Sequence, residues 1–265
     1  MKLFFKERKG NKGARLGRSQ ELMYEKYAEG NIISVGKFLQ GIERMYSLSI
    51  EISFISGTAF PLNYLVVKGL GMLFDRKCYL EIGSYIGDSI HNVSDICEKC
   101  ISVTAPIRSP WSMNSYCKKC GINDFSNRLI DTDKVEQYMV NSQHFDFKKI
   151  SSAPDLILID GEGTYEGVKR DTLNIKKIKS QKAIILWQLV KRNPTSRIAC
   201  DGILAGIRDC LTEEEWRDLY LFDNSTLGMF LPGDHVERMR EYIVDDKKTL
   251  YTYNLDVSVN ERKIK

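Results

Sequence analysis

Residues Tyr79 to Ser89 read YLEIGSYIGDS, and the rest of the chain is organised around them. An apolar run (Cys78, Tyr79, Leu80, Ile82) stops at Gly83, and Gly87 follows four residues later. Ile90 and Val93 then fall at i, i+3, the spacing of one helix face. Strand, glycine turn, helix is how an α/β sheet offers a ligand its first loop. Gly83 has no β-carbon, so it lets a ligand approach the main chain closely. A helix is expected from about Gly87, with Asp88 and Ser89 in a first turn whose free N–H groups attract an anion. Glu81 precedes the turn and faces the mouth. The spacing is E-x-G-x-x-x-G, whereas a pyrophosphate-binding dinucleotide fold carries G-x-G-x-x-G.

The 265 residues suffice for one large α/β domain with an extension, or for two small domains. A hydrophobic content of 43% supports a real core. No run of about 18 apolar residues exists, so no membrane span is expected. The start, MKLFFKERKG, lacks the long apolar segment of a secretory signal, and a cytoplasmic location is expected. Net charge is +4 but uneven: residues 1–18 carry +6, leaving −2 for the remainder. That head, with Gly10, Gly13 and Gly17, reads as a flexible basic arm. Seven cysteines without an export signal argue against a disulfide framework.

Helical patterns cover Gln20–Ala28, Ile33–Tyr46 and Pro61–Phe74, so residues 19–77 read as a helical lead-in packed on the main domain. From Cys78 strands and helices alternate. Strands are expected at Cys78–Ile82, Ile101–Thr104, Val135–Asn141, Asp155–Ile159 and Ala183–Trp187. Helices are expected at Asp88–Glu98, Trp111–Cys120, Glu166–Ile178 and Ala199–Leu211. Leu219–Phe222 and Leu227–Leu231 form a hairpin around Asn224-Ser225. The expected fold is α/β, a Rossmann-like, mostly parallel sheet covered on both faces, with an antiparallel C-terminal hairpin and residues 78–265 as its domain. Ligands of such sheets bind beyond the carboxyl ends of the strands. The loops that matter are then 83–88, 104–111, 141–146, 160–166 and 188–198.

The fourth of these loops belongs to LILIDGEGTYEGVKRD, where Asp160 ends a strand and Gly161 turns the chain. Together with YLEIGSYIGDS it resembles a bacterial family of class I S-adenosylmethionine-dependent methyltransferases, related to macrocin O-methyltransferase and to cephalosporin-hydroxylase-like proteins. Members typically read I-D-G-D-H-S-Y-E-G-V after the fourth strand. The run DGILAGIRDCLTEEEWRDLYLFDNSTLGMFL resembles the family's closing helix and hairpin, and the resemblance covers roughly residues 60–232. It implies S-adenosylmethionine at the sheet mouth and methyl transfer to a hydroxyl of a sugar or other natural product. It also implies that Glu81, Gly83, Ser84, Gly87 and Ser89 surround the methionine part of the cofactor. Asn141 and Ser142 would lie near the adenine, and Asp160 beside the cofactor or a metal ion.

The chain departs from the family at three places. The second strand ends in Thr104-Ala105, where an acid usually grips the ribose hydroxyls. The D-H pair becomes Glu162-Gly163, and the W-H-D that ends the fifth strand becomes Trp187-Gln188-Leu189. A Mg²⁺ site needs about two carboxylates at such a mouth, so no magnesium is expected. Asp160 and Glu162 remain as candidate bases, with His144 as a stand-in.

Cys97, Cys100, Cys117 and Cys120 form C-x₂-C-x₁₆-C-x₂-C, within the range of a structural four-thiolate zinc site. Both pairs read as largely helical, and buried apolar cysteines are the alternative. The leading expectation is O-methylation of a saccharide or small-metabolite acceptor. A second is a non-catalytic module that binds a nucleoside-type ligand or a partner protein. A nucleic-acid methyltransferase is disfavoured by the −2 of the body.

Overall fold

A computed structural model describes residues 11–47, 52, 61–85, 87–106, 133–189, 191–193, 196–199 and 202–244. The expected helix at Trp111–Cys120 lies outside them. The chain opens with α1 (Asn11–Glu29), β1 (Ile32–Ile33), α2 (Val35–Tyr46) and α3 (Pro61–Leu73). Then follow β2 (Cys78–Ile82), α4 (Asp88–Val93), β3 (Lys99–Thr104), β4 (Val135–Met139) and β5 (Leu156–Ile159). After α5 (Tyr165–Ile178) and β6 (Ile184–Gln188) comes a separate antiparallel ribbon, β7 (Lys191–Asn193) and β8 (Ser196–Ala199). The last elements are α6 (Ile203–Arg208), α7 (Glu213–Arg217), β9 (Leu219–Phe222), β10 (Leu227–Phe230) and α8 (Gly233–Met239).

Among the described residues one sheet holds eight strands in the order β1-β9-β10-β6-β5-β2-β3-β4. β10 pairs antiparallel with both β6 and β9, and the other pairings are parallel. The chain leaves β2 for β3 on one side and later returns to β5 on the other. Between β2 and β5 the sheet therefore has a topological switch point, where a doubly wound sheet opens a crevice at its carboxyl edge.

Alternation along the strands divides the core. Leu80, Ile82, Ile101, Val103, Ile157, Ile159, Ile185 and Trp187 face α1, α5 and α6. Tyr79, Cys100, Leu156, Leu158, Ile184 and Leu186 face α2, α3 and α4. Each fully buried aliphatic side chain contributes about 1.5–3 kcal/mol. Trp187 is fully buried and satisfies its one polar atom by donating from Nε1 to Thr172 Oγ1 at 3.0 Å.

Five expectations change. Asn11–Arg18, read as part of a flexible arm, belongs to α1, with buried Ser19 accepting from Ala205 N at 3.1 Å. Ile33 is not helical: with Ile32 it extends the sheet beside β9, so the lead-in is not purely helical. The helix expected to reach Glu98 stops at Val93, because Lys99 and Cys100 pair with Cys78 and Tyr79. Cys97 lies in the connection and Cys100 in β3, so this pair is not helical. The helix expected from Ala199 starts at Ile203, since Ala199 pairs with Lys191 in the ribbon.

Candidate cofactor and acceptor site

β2 carries Tyr79 and Glu81 on the α3–α4 face, and β5 carries Leu158 and then Asp160 on the same face. Glu81 is buried to 2% exposure, and Ser89, from the first turn of α4, donates its hydroxyl to Glu81 Oε1. Oε2 makes no hydrogen bond among the described residues; the buried Tyr79 hydroxyl lies beside the carboxyl and, like Ser89, draws its titration down. Burial pushes the Glu81 carboxyl up to about 8, and Asp160 and Asp88 push the same way against the Ser89 bond. Asp88 is buried too and accepts from Tyr64 OH at 3.3 Å. An orphaned oxygen on a buried acid is the kind of atom that a bound ligand satisfies.

The turn itself is set by backbone contacts. Gly83 has φ +89°, and its N–H donates to Val103 O at 2.9 Å. A β-carbon there would stand 2.2 Å from Asp160 O and 2.9 Å from Gly161 N. The room that Gly83 keeps is therefore room for the Asp160–Gly161 peptide, not for a ligand. Two glycine turns, each leaving its own strand, pack against each other at the switch point. Ser84 is buried, exchanges a hydroxyl bond with Ser102 at 2.8 Å, and accepts from Gly87 N at 2.7 Å. Gly87, at φ +94°, caps α4. That helix has six residues, too short for the anion site expected at its start.

The structure thus brings Glu81, Ser84, Ser89 and Asp160 together and fixes Gly83 and Gly87 in the turn. Asn141 and Ser142 stand apart, beyond β4 on the far side of β3. Asn141 is exposed and caps a short 3-10 turn by accepting from Gln143 N, and Ser142 is buried. Glu162 is exposed, past the Gly161 turn, and His144 is exposed beside Ser142. Thr104, at the position of the family's ribose acid, is buried.

Sequence reading missed Asp171. It is fully buried on α5, accepts from Gln143 Nε2 at 2.9 Å, and lies so close under Gly161 that a β-carbon there would meet its Oδ2 at 2.6 Å. It ties the turn after β4 to the turn after β5. The signal was present: Val168, Asp171, Thr172 and Ile175 share the buried stripe of α5, and an acid on such a stripe needs partners.

At the end of β6 the charges are gone. Leu189 is buried in the core and touches Gly228, where a β-carbon would meet its Cδ1 at 3.1 Å. Gln188 Oε1 accepts from Asn63 Nδ2 at 3.1 Å and from Thr226 Oγ1 at 2.9 Å. Among the described residues no group of His, Cys, Asp and Glu is placed to hold a metal ion. Cys97 and Cys100 sit in the apolar cluster, and Cys97 Sγ donates to Arg76 O at 3.6 Å. A hydrogen bond with Cys97, together with burial, pushes the Cys100 thiol far up. Nothing among the described residues supports zinc; Cys117 and Cys120 lie outside them. His235 contacts Arg76 and stacks on Phe74, ahead of the amino end of β2 and away from the site.

No family model and no curated protein matches the chain. It is similar to solved methyltransferase structures. One is a methyltransferase of Podospora anserina bound to S-adenosylhomocysteine, at 14% identity over 85% of this chain and 98% of that one, with a TM-score of 0.47. Another is the Streptomyces achromogenes O-methyltransferase of tomaymycin synthesis with S-adenosylmethionine, at 15% identity over 75% and 89% of the two chains, TM-score 0.43. A third is a Bacillus cereus O-methyltransferase with S-adenosylhomocysteine, at 14% identity over 74% and 90%, TM-score 0.43. No helix among the described residues is long and apolar enough to cross a membrane.

Proposed function

We propose that the chain is an S-adenosylmethionine-dependent methyltransferase acting on a hydroxyl of a saccharide or small metabolite, with residues 78–265 as its methyltransferase domain. The observation that carries the reading is the buried Glu81, one oxygen held by Ser89 and the other without a partner, at the switch point between β2 and β5. Glu81, Ser84, Ser89 and Asp160 fit the methionine part of the cofactor, which carries an ammonium group for a buried acid to accept. In this reading Asn141 and Ser142 approach the adenine. The bound cofactor supplies an electrophilic methyl group. The chain's own work is to align the acceptor hydroxyl and take its proton. Alignment is where most of the rate of a direct displacement comes from. Asp160, half-buried at the strand end, is the nearer base, and Glu162 is the second.

The burial of Leu189 and the loss of the family's histidines favour one other reading, a module that binds the cofactor or a partner without turnover. Calorimetry separates them in two stages. S-Adenosylhomocysteine is expected to bind and, at a hundred times its Kd, to add about 2.7 kcal/mol of stability. No heat and no thermal shift at millimolar ligand overturns the methyltransferase reading and leaves a module that binds a partner. Binding without methyl transfer to any of a panel of hydroxyl acceptors supports the module.

A further inference from the structure

Gln188 ends β6 on the face of Leu186, and Asp160 follows β5 on the face of Leu158. Leu158 and Leu186 are register partners, so Asp160 and Gln188 leave adjacent strands side by side. The neighbours of Gln188 settle which way its amide points. Ser225 Oγ accepts from Leu227 N at 3.2 Å and donates to Asn63 Oδ1 at 2.9 Å. The backbone N–H of Thr226 donates to the same Oδ1 at 3.5 Å. The other end of the Asn63 amide is therefore Nδ2, a donor, and it meets Thr226 Oγ1 at 2.8 Å and Gln188 at 3.1 Å. The Gln188 atom facing a donor must be its oxygen, which also receives the Thr226 hydroxyl. Nε2 is turned away from this network, and among the described residues nothing accepts from it.

We infer that Asp160 and Gln188 together read a hydroxyl group on the acceptor: the Asp160 carboxylate accepts its proton, and Gln188 Nε2 donates to its lone pair. This rests on the methyl-transfer reading and narrows the group held between the two side chains to an uncharged hydroxyl. A hydroxyl is donor and acceptor at once, and the pair offers one of each. An ionised carboxylate or phosphate has no proton for Asp160. An ammonium has no lone pair for Gln188. The glutamine in the family's histidine position is then a replacement that keeps acceptor recognition without a titrating group. Gln188 binds the acceptor, and Asn63 and Thr226 are positioning residues that act through it.

The test uses the full chain with S-adenosylhomocysteine, titrated with D-glucose, D-glucuronate, glucose 6-phosphate and glucosamine while the side-chain amide resonances are followed. Glu in place of Gln188 keeps an oxygen toward Asn63 and Thr226 and replaces only the outward donor. The expected result is glucose binding to the wild type with a shift of the Gln188 Nε2 resonances, and at least tenfold weaker binding to Q188E. S-Adenosylhomocysteine affinity should fall less than glucose affinity. Asn63→Asp removes the donor that orients Gln188, reverses its amide, and should give the same loss with Gln188 still present. Absence of glucose binding to the wild type, or equal binding of any of the four sugars to the wild type and Q188E, overturns the inference. Repeating the titration without S-adenosylhomocysteine keeps the two readings apart. Failure of the cofactor to bind counts against methyl transfer, and failure of the polyol to bind counts against this assignment.

Discussion

At the end of β2 and the start of α4 the chain buries two acids, Glu81 and Asp88, beside the half-buried Asp160, and leaves one Glu81 oxygen without a hydrogen bond among the described residues. After β6 it buries a leucine and closes an uncharged ring of Gln188, Asn63, Thr226 and Ser225. Both loops leave the carboxyl edge of one sheet. A buried acid lacking a full set of bonds is held at a cost, and such costs concentrate where a ligand is bound. The uncharged ring is satisfied on the protein side and presents one set of N–H donors outward. In the proposed reading, the contrast divides the mouth into a side for a charged partner and a side for a neutral one.

Gly83→Val attacks the first side hardest. A β-branched residue at φ +89° combines backbone strain of about 1–3 kcal/mol with overpacking of about 1–3 kcal/mol against the Asp160–Gly161 peptide. Together these lower stability by roughly 2–6 kcal/mol, read as a large fall in melting temperature. A stable variant that merely loses cofactor binding would mean that the glycine makes room for ligand after all.

Glu81→Gln tests the stored charge. In the unfolded chain this carboxyl titrates near 4.5, and in the fold near 8. Between those values the folded state holds a proton that the unfolded state has released. The contribution of Glu81 is therefore complete below pH 4.5 and is lost as pH rises toward 8, at about 1.4 kcal/mol per pH unit. Glutamine keeps an oxygen for Ser89 and has no proton to lose. Denaturant unfolding from pH 4.5 to 8 should show the wild type falling relative to the variant. Parallel curves would place an ordinary, solvated acid at this position.

The smallest effect is expected on the neutral side. Thr226→Val removes the hydroxyl that links Asn63 and Gln188 at a half-buried site and should lower stability by about 0.5–1.5 kcal/mol, with the S-adenosylhomocysteine affinity unchanged. A loss of cofactor affinity equal to that of a Glu81 variant would erase the division between the two sides.

The glycine turns and the strand–helix alternation were legible because each rests on local chemistry: apolar runs along the strands, and a glycine where the chain turns into a helix. What stayed hidden depends on partners distant in sequence. Two isoleucines, Ile32 and Ile33, give no strand signal until Leu221 and Phe222 lie beside them. The β7–β8 ribbon brackets Pro194 and Thr195, and Asn193-Pro194 was its only turn signal. Gln188 read as a loss in the sequence, because only the positions of Asn63 and Thr226 reveal where its amide points.

The pairing of β1 with β9 also sets an order of events. Among the described residues, the hydrogen bonds that tie the first described helix to the body reach far along the chain. Arg18 to Asp209, Ser19 to Ala205 and Lys26 to Trp216 span 186 to 191 residues. Ile33 bridges to Ile243 as well, so the strand that follows α1 and the end of the described chain meet at one edge of the sheet. At about 5–20 residues per second, a ribosome would take roughly 10–40 s to deliver these partners after α1 has emerged. Contacts this distant are the slow ones to form. Synthesis can therefore complete the strands around Gly83 while the opening segment still waits, and the N-terminal clasp closes on a sheet whose Gly83 and Asp160 turns are already made.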